Sequence, residues 1–183
     1  SEREMAGSWW TGGSFSYSSY SYTMDAFGNV TESWSKQEYA IIAGQAKLRS
    51  VTTESVTWST DGTVSVTLPY TTSYFYSGDL GDRSGFVVLD ERNRPTREST
   101  LGRLGYVAGA TVTTVTTDAF GTVTTTTVQQ FFNVIQGQAK MVRTLTTEST
   151  TESCDGSKTE LSESYETYYQ YDQLGRLIAV GGS

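Results

Sequence analysis

Hydrophobic and polar residues alternate with a period of two along much of the chain. Val64, Val66, Leu68 and Tyr70 occupy every second position of one stretch, and the segment 165–171 repeats this spacing with tyrosines and a threonine. In a β-strand such spacing places alternate side chains on one face of the sheet. The pattern predicts a sheet with one apolar or aromatic face and one face of serine and threonine.

Clusters of Asp, Gly and Asn separate these stretches at intervals that are typical of an antiparallel meander. Abundant Ser, Thr, Tyr and Val support the same prediction, because these residues suit a pleated and half-exposed surface. We predict ten strands, five in each half of the chain, near 13–24, 29–42, 46–59, 63–76 and 84–90, and near 106–117, 121–135, 139–153, 158–171 and 176–181.

Three local features qualify the predicted strands. Gly44 and Gly137 lie within long strand-like stretches, where glycine usually marks a bulge or a bend. Pro69 has no backbone N–H to donate, which predicts an edge strand or a bulge. The run 122–127 is polar on both faces, so we expect it at a solvated edge or against another polar layer.

The chain is internally duplicated. The sequence DAFG at 25–28 returns at 118–121, and GQAK at 44–47 returns at 137–140, both 93 positions later. After one inserted residue the repeat continues at an offset of 94 positions, as for TTES at 52–55. A duplication of this kind indicates architecture rather than chemistry.

The predicted fold is therefore all-β. It is an antiparallel meander of long hairpins, in two tandem copies of about 90 residues that form a continuous sheet or a solenoid-like array. A charged segment near 91–95 separates a first β-repeat, 1–91, from a second β-repeat, 92–183.

The predicted turns share one pattern, in which Asp is followed by two variable residues and then Gly. The Asp carboxylate accepts backbone N–H groups of its own turn, and Gly adopts the positive φ that a tight hairpin needs. These positions are predicted to be structural turn residues: Asp25, Gly28, Asp118, Gly121, Asp172 and Gly175.

One turn carries a longer motif. The segment YQYDQLGRL at 169–177 resembles the Y-x-Y-D-x-x-G-R-L motif of the YD-repeat family, the hairpin repeats of rearrangement-hotspot and teneurin-type proteins. Segments 22–30 and 117–123 resemble degenerate versions, and 89–95 resembles one in which Asn93 replaces the glycine. The resemblance implies β-hairpin ribbons that spiral with their neighbours, structural motif residues, and extracellular proteins that encapsulate, display or bridge cell surfaces.

Composition excludes several classes of function. The net charge is −7 and no cluster of Lys or Arg stands out, so nucleic-acid backbones would be repelled. No apolar run reaches the roughly 18 residues of a membrane span. The chain has no histidine, which excludes Ser-His-Asp catalysis and restricts any metal site to oxygen ligands. We expect no cofactor and no metal.

Carboxylates are the remaining catalytic option. A glycosidase needs two carboxyl groups held roughly 5–10 Å apart, but the candidates lie in strongly polar sequence that would not raise a pKa, and we interpret them as solvated charge. A calcium loop at Asp25 or Asp118 would offer one carboxylate where the ion needs six or more oxygens. We therefore expect no enzyme. The catalytic candidates were Glu160, Glu163, Glu166 and the pair Asp79 and Asp82.

Aromatic residues and the single cysteine leave two alternatives open. Trp9, Trp10, Trp34 and Trp58 could form a platform on which sugar rings stack, but aromatic pairs also stabilise sheets without a ligand. Cys154 is either a buried, inert thiol or half of an intermolecular bridge in an oxidising setting.

The start of the sequence, which lacks Met, suggests a processed or excised product, and we expect an extracellular or cell-surface location.

The last predicted strand indicates self-association. Arg3-Glu4 resembles Arg97-Glu98, so the two ends of the sequence are in phase with the repeat. Leu177, Ile178 and Val180 form an apolar edge without the Lys, Pro or bulge that guards natural edges. We predict an extracellular structural subunit that pairs with itself head-to-tail into a filament, sheath or surface array. A fragment of a longer array is an alternative, as is an adhesin or carbohydrate-binding module with glycans as partners.

Overall fold

The computed structural model describes residues 18–42, 44–77, 102–161 and 163–182. These residues form eleven antiparallel β-strands in one open sheet and contain no helix, which confirms the predicted all-β meander. The strands are β1 (Ser19–Met24), β2 (Val30–Ile42), β3 (Gln45–Trp58), β4 (Val64–Tyr76), β5 (Leu104–Ala108), β6 (Thr111–Thr117), β7 (Val123–Ile135), β8 (Gln138–Glu152), β9 (Lys158–Glu160), β10 (Tyr165–Tyr171) and β11 (Leu177–Gly182).

The eleven strands fill nine positions across the sheet, because two positions hold two short strands each. The order is β1-β2-β3-β4-β6-β7-β8-β10-β11, with β5 paired to β4 and β9 paired to β8. β5 and β6 lie end to end along β4, where the pairs Ser73 with Ala108 and Thr67 with Thr114 belong to one continuous register. β9 and β10 also lie end to end along β8, but their registers differ by one residue.

The predicted strands agree with the observed ones to within a few residues wherever the chain is described. The predicted strands 106–117 and 158–171 are each divided in two. The predicted strand 84–90 and the boundary between the repeats 1–91 and 92–183 lie outside the described residues.

The single inserted residue of the second copy appears as an extra β-bulge. In the first copy Arg49 is skipped between the pairs of Glu38 and Tyr39, and in the second copy Val142 is skipped at the equivalent place. Thr147 is then skipped as well, between the pairs of Thr127 and Val128. A bulge absorbs one residue without displacing the rest of the ladder. The offset therefore changes from 93 to 94 while the remaining strand pairs stay matched.

Gly44 and Gly137 lie in hairpin turns, in the gaps that separate the predicted strands 29–42 from 46–59 and 121–135 from 139–153, so only their interpretation as bulges or bends within strands was wrong. Ile135 pairs with Gln138, which leaves a two-residue loop. Gln136 has φ 52° and Gly137 has φ 74°, and two positive φ values define the type I′ turn that suits the twist of a hairpin.

Pro69 lies at a bulge, as predicted. Thr53 pairs with Tyr70 and Ser55 pairs with Thr67, so two residues of β4 face the single residue Glu54. The missing N–H of proline therefore interrupts no regular ladder at this point.

The threonine-rich run at 122–127 does not lie at an edge, so the first of its two predicted placements was wrong. β7 pairs with β6 on one side and β8 on the other. Its hydroxyls bond across the ladder instead, with Thr124 Oγ1 3.0 Å from Thr151 Oγ1 and Thr126 Oγ1 3.3 Å from Ser149 Oγ. The adjacent strands β6 and β8 therefore provide the polar surroundings of this run within the sheet itself.

The apolar core is small and lies on one face of the first copy. Trp34, Val56 and Val66 are buried side by side on β2, β3 and β4, with Val64 and Leu68 packed against them. The ring of Tyr20 lies 5.7 Å from that of Trp34. Outside this cluster the buried apolar residues of the described ranges are Ile42, Val107 and Ala110, so most strands depend on their cross-strand neighbours.

Candidate functional site: turns, faces and edges of the sheet

The Asp-x-x-Gly turns at Asp25, Asp118 and Asp172 share one geometry. Asp118 Oδ1 accepts the backbone N–H groups of Phe120 and Thr122, both at 2.8 Å, and the N–H of Gly121 donates to the Asp118 carbonyl at 3.1 Å. The turns that begin at Asp25 and Asp172 repeat this arrangement. The six predicted turn residues thus close three separate hairpins and do not form a common site.

These hydrogen bonds lower the pKa values of the turn carboxyls. For Asp118 the largest cause is the backbone N–H of Thr122, for Asp172 that of Arg176, and for Asp25 the side chain of Asn29. Hydrogen bonds to the charged form stabilise it. The carboxylates therefore act as turn caps that stay ionised at neutral pH.

Acid should weaken the sheet through these caps. Because their pKa values are lower in the folded state, their contribution is fully present above the unfolded value, about 3.9, and is lost as the pH falls through the folded values. We expect the urea midpoint to fall between pH 5 and pH 2, and Asp118→Asn to make this decline shallower. Glu163→Gln, which removes a carboxyl outside the turns, is the matched control. A decline as steep in Asp118→Asn as in the parent would contradict this role.

Gly121→Val tests the backbone of one turn. Gly121 has φ 84°, and a Cβ at this position would meet no atom within 4 Å, so any cost arises from the backbone alone. We expect the free energy of unfolding to fall by more than about 1 kcal/mol, since the left-handed region costs L-residues roughly 1–2 kcal/mol. Urea denaturation measures the effect. Gly181→Val, at an open position of ordinary φ, should cost less.

The carboxylates that were candidates for catalysis are engaged in ion pairs or exposed. Glu160 Oε1 lies 2.6 Å from Lys158 Nζ, and this contact lowers the pKa of Glu160, whereas a general acid needs a raised pKa. Glu166 lies 3.0 Å from Arg143 and accepts the hydroxyl of Tyr168. Glu163 is exposed, and Asp79 and Asp82 lie outside the described residues. Within the described ranges no three acidic or cysteine side chains cluster as metal ligands.

The two tryptophans that the structure describes do not form an exposed platform. Trp34 belongs to the core and is 9% exposed, whereas Trp58 is 37% exposed. Trp9 and Trp10 lie outside the described residues. Cys154 is exposed in a turn, so the interpretation of a buried thiol was wrong. Its turn lies at the end of a hairpin, where the sheet offers nothing to cover it.

The face of the sheet opposite the apolar core carries rows of hydroxyl groups that are aligned across the strands. The hydroxyls of Thr31 and Thr57 lie 3.0 Å apart, and those of Ser65 and Thr116 lie 2.9 Å apart. The alternation predicted a polar face, but only the strand register shows that one row crosses both copies. This row consists of Thr23, Thr31, Thr57, Ser65, Thr116, Thr124, Thr151 and Thr159.

Two strands form the edges of the described sheet. Among the described residues β1 pairs only with β2, and β11 pairs only with β10. All residues of β11 are exposed, including Leu177, Ile178 and Val180 of the predicted assembly edge. The edge does contain a bulge, because Ile178 is skipped between the pairs of Tyr171 and Gln170, so that part of the prediction was wrong. An apolar run in the sequence does not show where its ladder is interrupted.

β11 is the edge counterpart of the internal strand β5. The sequence GRLGYVAG at 102–109 returns as GRLIAVGG at 175–182. Val107 pairs with Tyr74 and Val180 pairs with Tyr169, and each strand skips one residue after its leucine, Gly105 in β5 and Ile178 in β11. The repeat at an offset of 93 does not show this equivalence, because β5 and β11 are 73 positions apart.

The described residues contain no helix with the length and apolar character needed to cross a membrane.

Comparisons with known proteins leave the family open. No family model, no curated protein and no solved structure matches the chain.

Proposed function

We propose that this chain is a non-enzymatic, extracellular structural protein that assembles head-to-tail with copies of itself into a filament, sheath or surface array. The observation that carries the proposal is the difference between two equivalent valines. Val107 on β5 is 2% exposed, whereas Val180 on β11 is 57% exposed. The two equivalent strands thus differ in burial: β5 is covered by its neighbours inside the sheet, whereas β11 is exposed at the edge.

Covering this edge would be favourable. The apolar side chains Leu177 and Val180 are both more than half exposed. Burial of apolar area contributes about 25 cal/mol per Å², and pairing also satisfies the backbone groups of the edge strand. The entropy lost on association opposes both terms, so stable assembly requires a long and well-matched junction.

The resemblance to YD-repeat proteins supports the proposed setting. Its motif lies in the hairpin that joins β10 to β11, where Asp172 and Gly175 hold the turn and Arg176 Nε donates to Asp172 Oδ2 at 2.6 Å. The hairpin therefore directs β11 onto the outer edge of the sheet. Such hairpins act as structural elements in that family.

Val180→Lys tests assembly without disturbing the isolated chain. In the single chain a lysine at this half-exposed edge position should cost little free energy of folding. In an assembly that covers position 180 as the sheet covers Val107, the charge of the lysine would be buried. We expect the parent chain to form large species in sedimentation velocity as concentration rises, and Val180→Lys to remain a folded monomer. Phe120→Lys, in a turn where the ring is 84% exposed, is the matched control and should still assemble. A parent chain that stays monomeric would contradict the proposal.

A glycan-binding module is the second candidate. An open depression of about 760 Å³ at one end of the sheet is lined by Tyr76, Lys47 and Arg103, among others. An aromatic ring beside hydrogen-bond donors is a common arrangement for sugars. Glycan-array binding that is lost in Tyr76→Ala and retained in Phe120→Ala would favour this function.

A further inference from the structure

We infer that strand β1 of a second copy of this chain completes the outer edge beside β9, in the register that β6 adopts along β4. This inference rests on the proposed function and specifies its junction. Within the chain, one position across the sheet is filled by β5 and β6 together. Among the described residues, the equivalent position at the outer edge is filled only in its first half, by β11.

The unfilled half lies beside β9. β4 and the pair β9 and β10 are equivalent strands, because Val64 and Lys158 both pair with the last residue of the preceding strand, Trp58 and Glu152. The inner copy of this strand, β4, has β6 on its far side along Val64–Thr67. In the described part of the chain nothing pairs with the far side of β9.

β1 is the counterpart of β6. Each strand leads into a DAFG turn, at 25–28 and at 118–121, and each then pairs with the following strand in the same register. Met24 corresponds to Thr117 and Thr23 corresponds to Thr116. The other side of β6 is covered by β4, whereas the other side of β1 has no partner among the described residues.

The equivalence fixes the register of the junction. Within the chain Val64 pairs with Thr117 and Ser65 pairs with Thr116. The corresponding pairs between copies are Lys158 with Met24, Thr159 with Thr23, and Glu160 with Tyr22. Tyr22 and Met24 are 50% and 63% exposed in the single copy, so this pairing would cover apolar side chains of β1 as well.

Charge is compatible with this register. Lys158 and Glu160 replace Val64 and Val66 of the first copy, and they lie 2.6 Å apart as an ion pair. The pair brings no net charge to the junction, and the aliphatic stem of Lys158 can cover Met24. A lysine on an edge discourages unspecific pairing. The partner strand must therefore match the register rather than only present an apolar row.

A disulfide between copies tests the junction. In a Cys154→Ser background, Thr23→Cys combined with Thr159→Cys places two thiols where the hydroxyls of Ser65 and Thr116 lie 2.9 Å apart within the chain. Under mild oxidation we expect a ladder of covalent dimers, trimers and higher species on non-reducing gels. Ser65→Cys with Thr116→Cys should form the equivalent bond within one chain and verifies the chemistry.

Off-register variants and the state of the parent chain separate the possible outcomes. Thr23→Cys with Glu160→Cys places the thiols on opposite faces of the sheet, and we expect no ladder. Two results would show that this junction is wrong while the proposed function stands. In one the chain assembles but Thr23→Cys/Thr159→Cys gives no ladder, and in the other the off-register pair links equally well. If no assembly occurs, both fail. A bond within the monomer would show that the sheet closes on itself, which would overturn the inference.

Discussion

Gly109→Ala is expected to reduce the free energy of unfolding by at least about 3 kcal/mol. Gly109 lies at the break between β5 and β6, where the strand passes close to β7. A Cβ at this position would lie 1.8 Å from the carbonyl oxygen of Gln130 and 2.6 Å from its carbonyl carbon. Both are backbone atoms, so no side chain can move aside, and overpacking of this kind costs 1–3 kcal/mol or more.

Gly105→Ala is the matched control for this substitution. Gly105 lies in the same strand, but its added Cβ would lie 3.7 Å from the nearest atom, the carbonyl oxygen of Phe75. We expect urea denaturation to show only a small change for Gly105→Ala. Equal midpoints for the two variants would mean that β5 and β7 are not in contact, and the joined position of β5 and β6 would be wrong.

Trp34→Ala is expected to cost about 3–5 kcal/mol, the usual range for removing a buried aromatic side chain. Trp34 is 9% exposed and lies at the centre of a core that contains few other large side chains. The cavity would separate Val56 from Tyr20 on the two neighbouring strands. Because the sheet has only one layer, little surrounding structure can collapse into the space.

Trp58→Ala provides the comparison for the core. Trp58 is 37% exposed, so part of its surface already contacts water in the folded state. We expect a clearly smaller loss in urea denaturation than for Trp34→Ala. If Trp58→Ala were the more destabilising variant, the core would lie nearer the turns than the structure indicates.

The fold could be predicted from the sequence because its determinants are local. The period of two and the Asp-x-x-Gly turns each depend on residues near one another in the chain, and the repeat at an offset of 93 shows the same local signals twice. Even the extra bulge at Thr147 has a sequence counterpart, the change of offset to 94. The same applies to Pro69, whose missing N–H indicates a bulge wherever the strand lies in the sheet.

The features that the sequence did not predict depend on neighbours. The gap between the predicted strands 121–135 and 139–153 contains the turn, but Gly137 was interpreted as a bulge or bend because a two-residue turn leaves so short an interruption. The run 122–127 is internal because the adjacent strands also present hydroxyls, which its own sequence cannot indicate. The equivalence of β5 and β11 follows an offset of 73, which the stronger repeat at 93 concealed.

The proposed edge depends on a comparison between strands rather than on any single motif. Leu177 and Val180 were recognisable as apolar edge residues. The ladder pairs show that β5 and β6 together fill one position across the sheet, beside β4. They also show that β11, the counterpart of β5, fills only the corresponding half of the position beside β10 and β9 among the described residues. The proposed junction is therefore one in which two incomplete edges would complement each other.

The axial repeat of an assembled filament tests the central claim most directly. If β11 of one copy and β1 of the next share one position, each subunit adds eight strand positions, and a spacing of about 4.8 Å between strands gives a rise of about 38 Å per subunit. If β1 paired outside β11 as a separate strand, the rise would be about 43 Å. Electron cryomicroscopy of the purified chain should show filaments with the shorter repeat. Dispersed 20.0 kDa monomers at high concentration, or filaments with the longer repeat, would contradict the account.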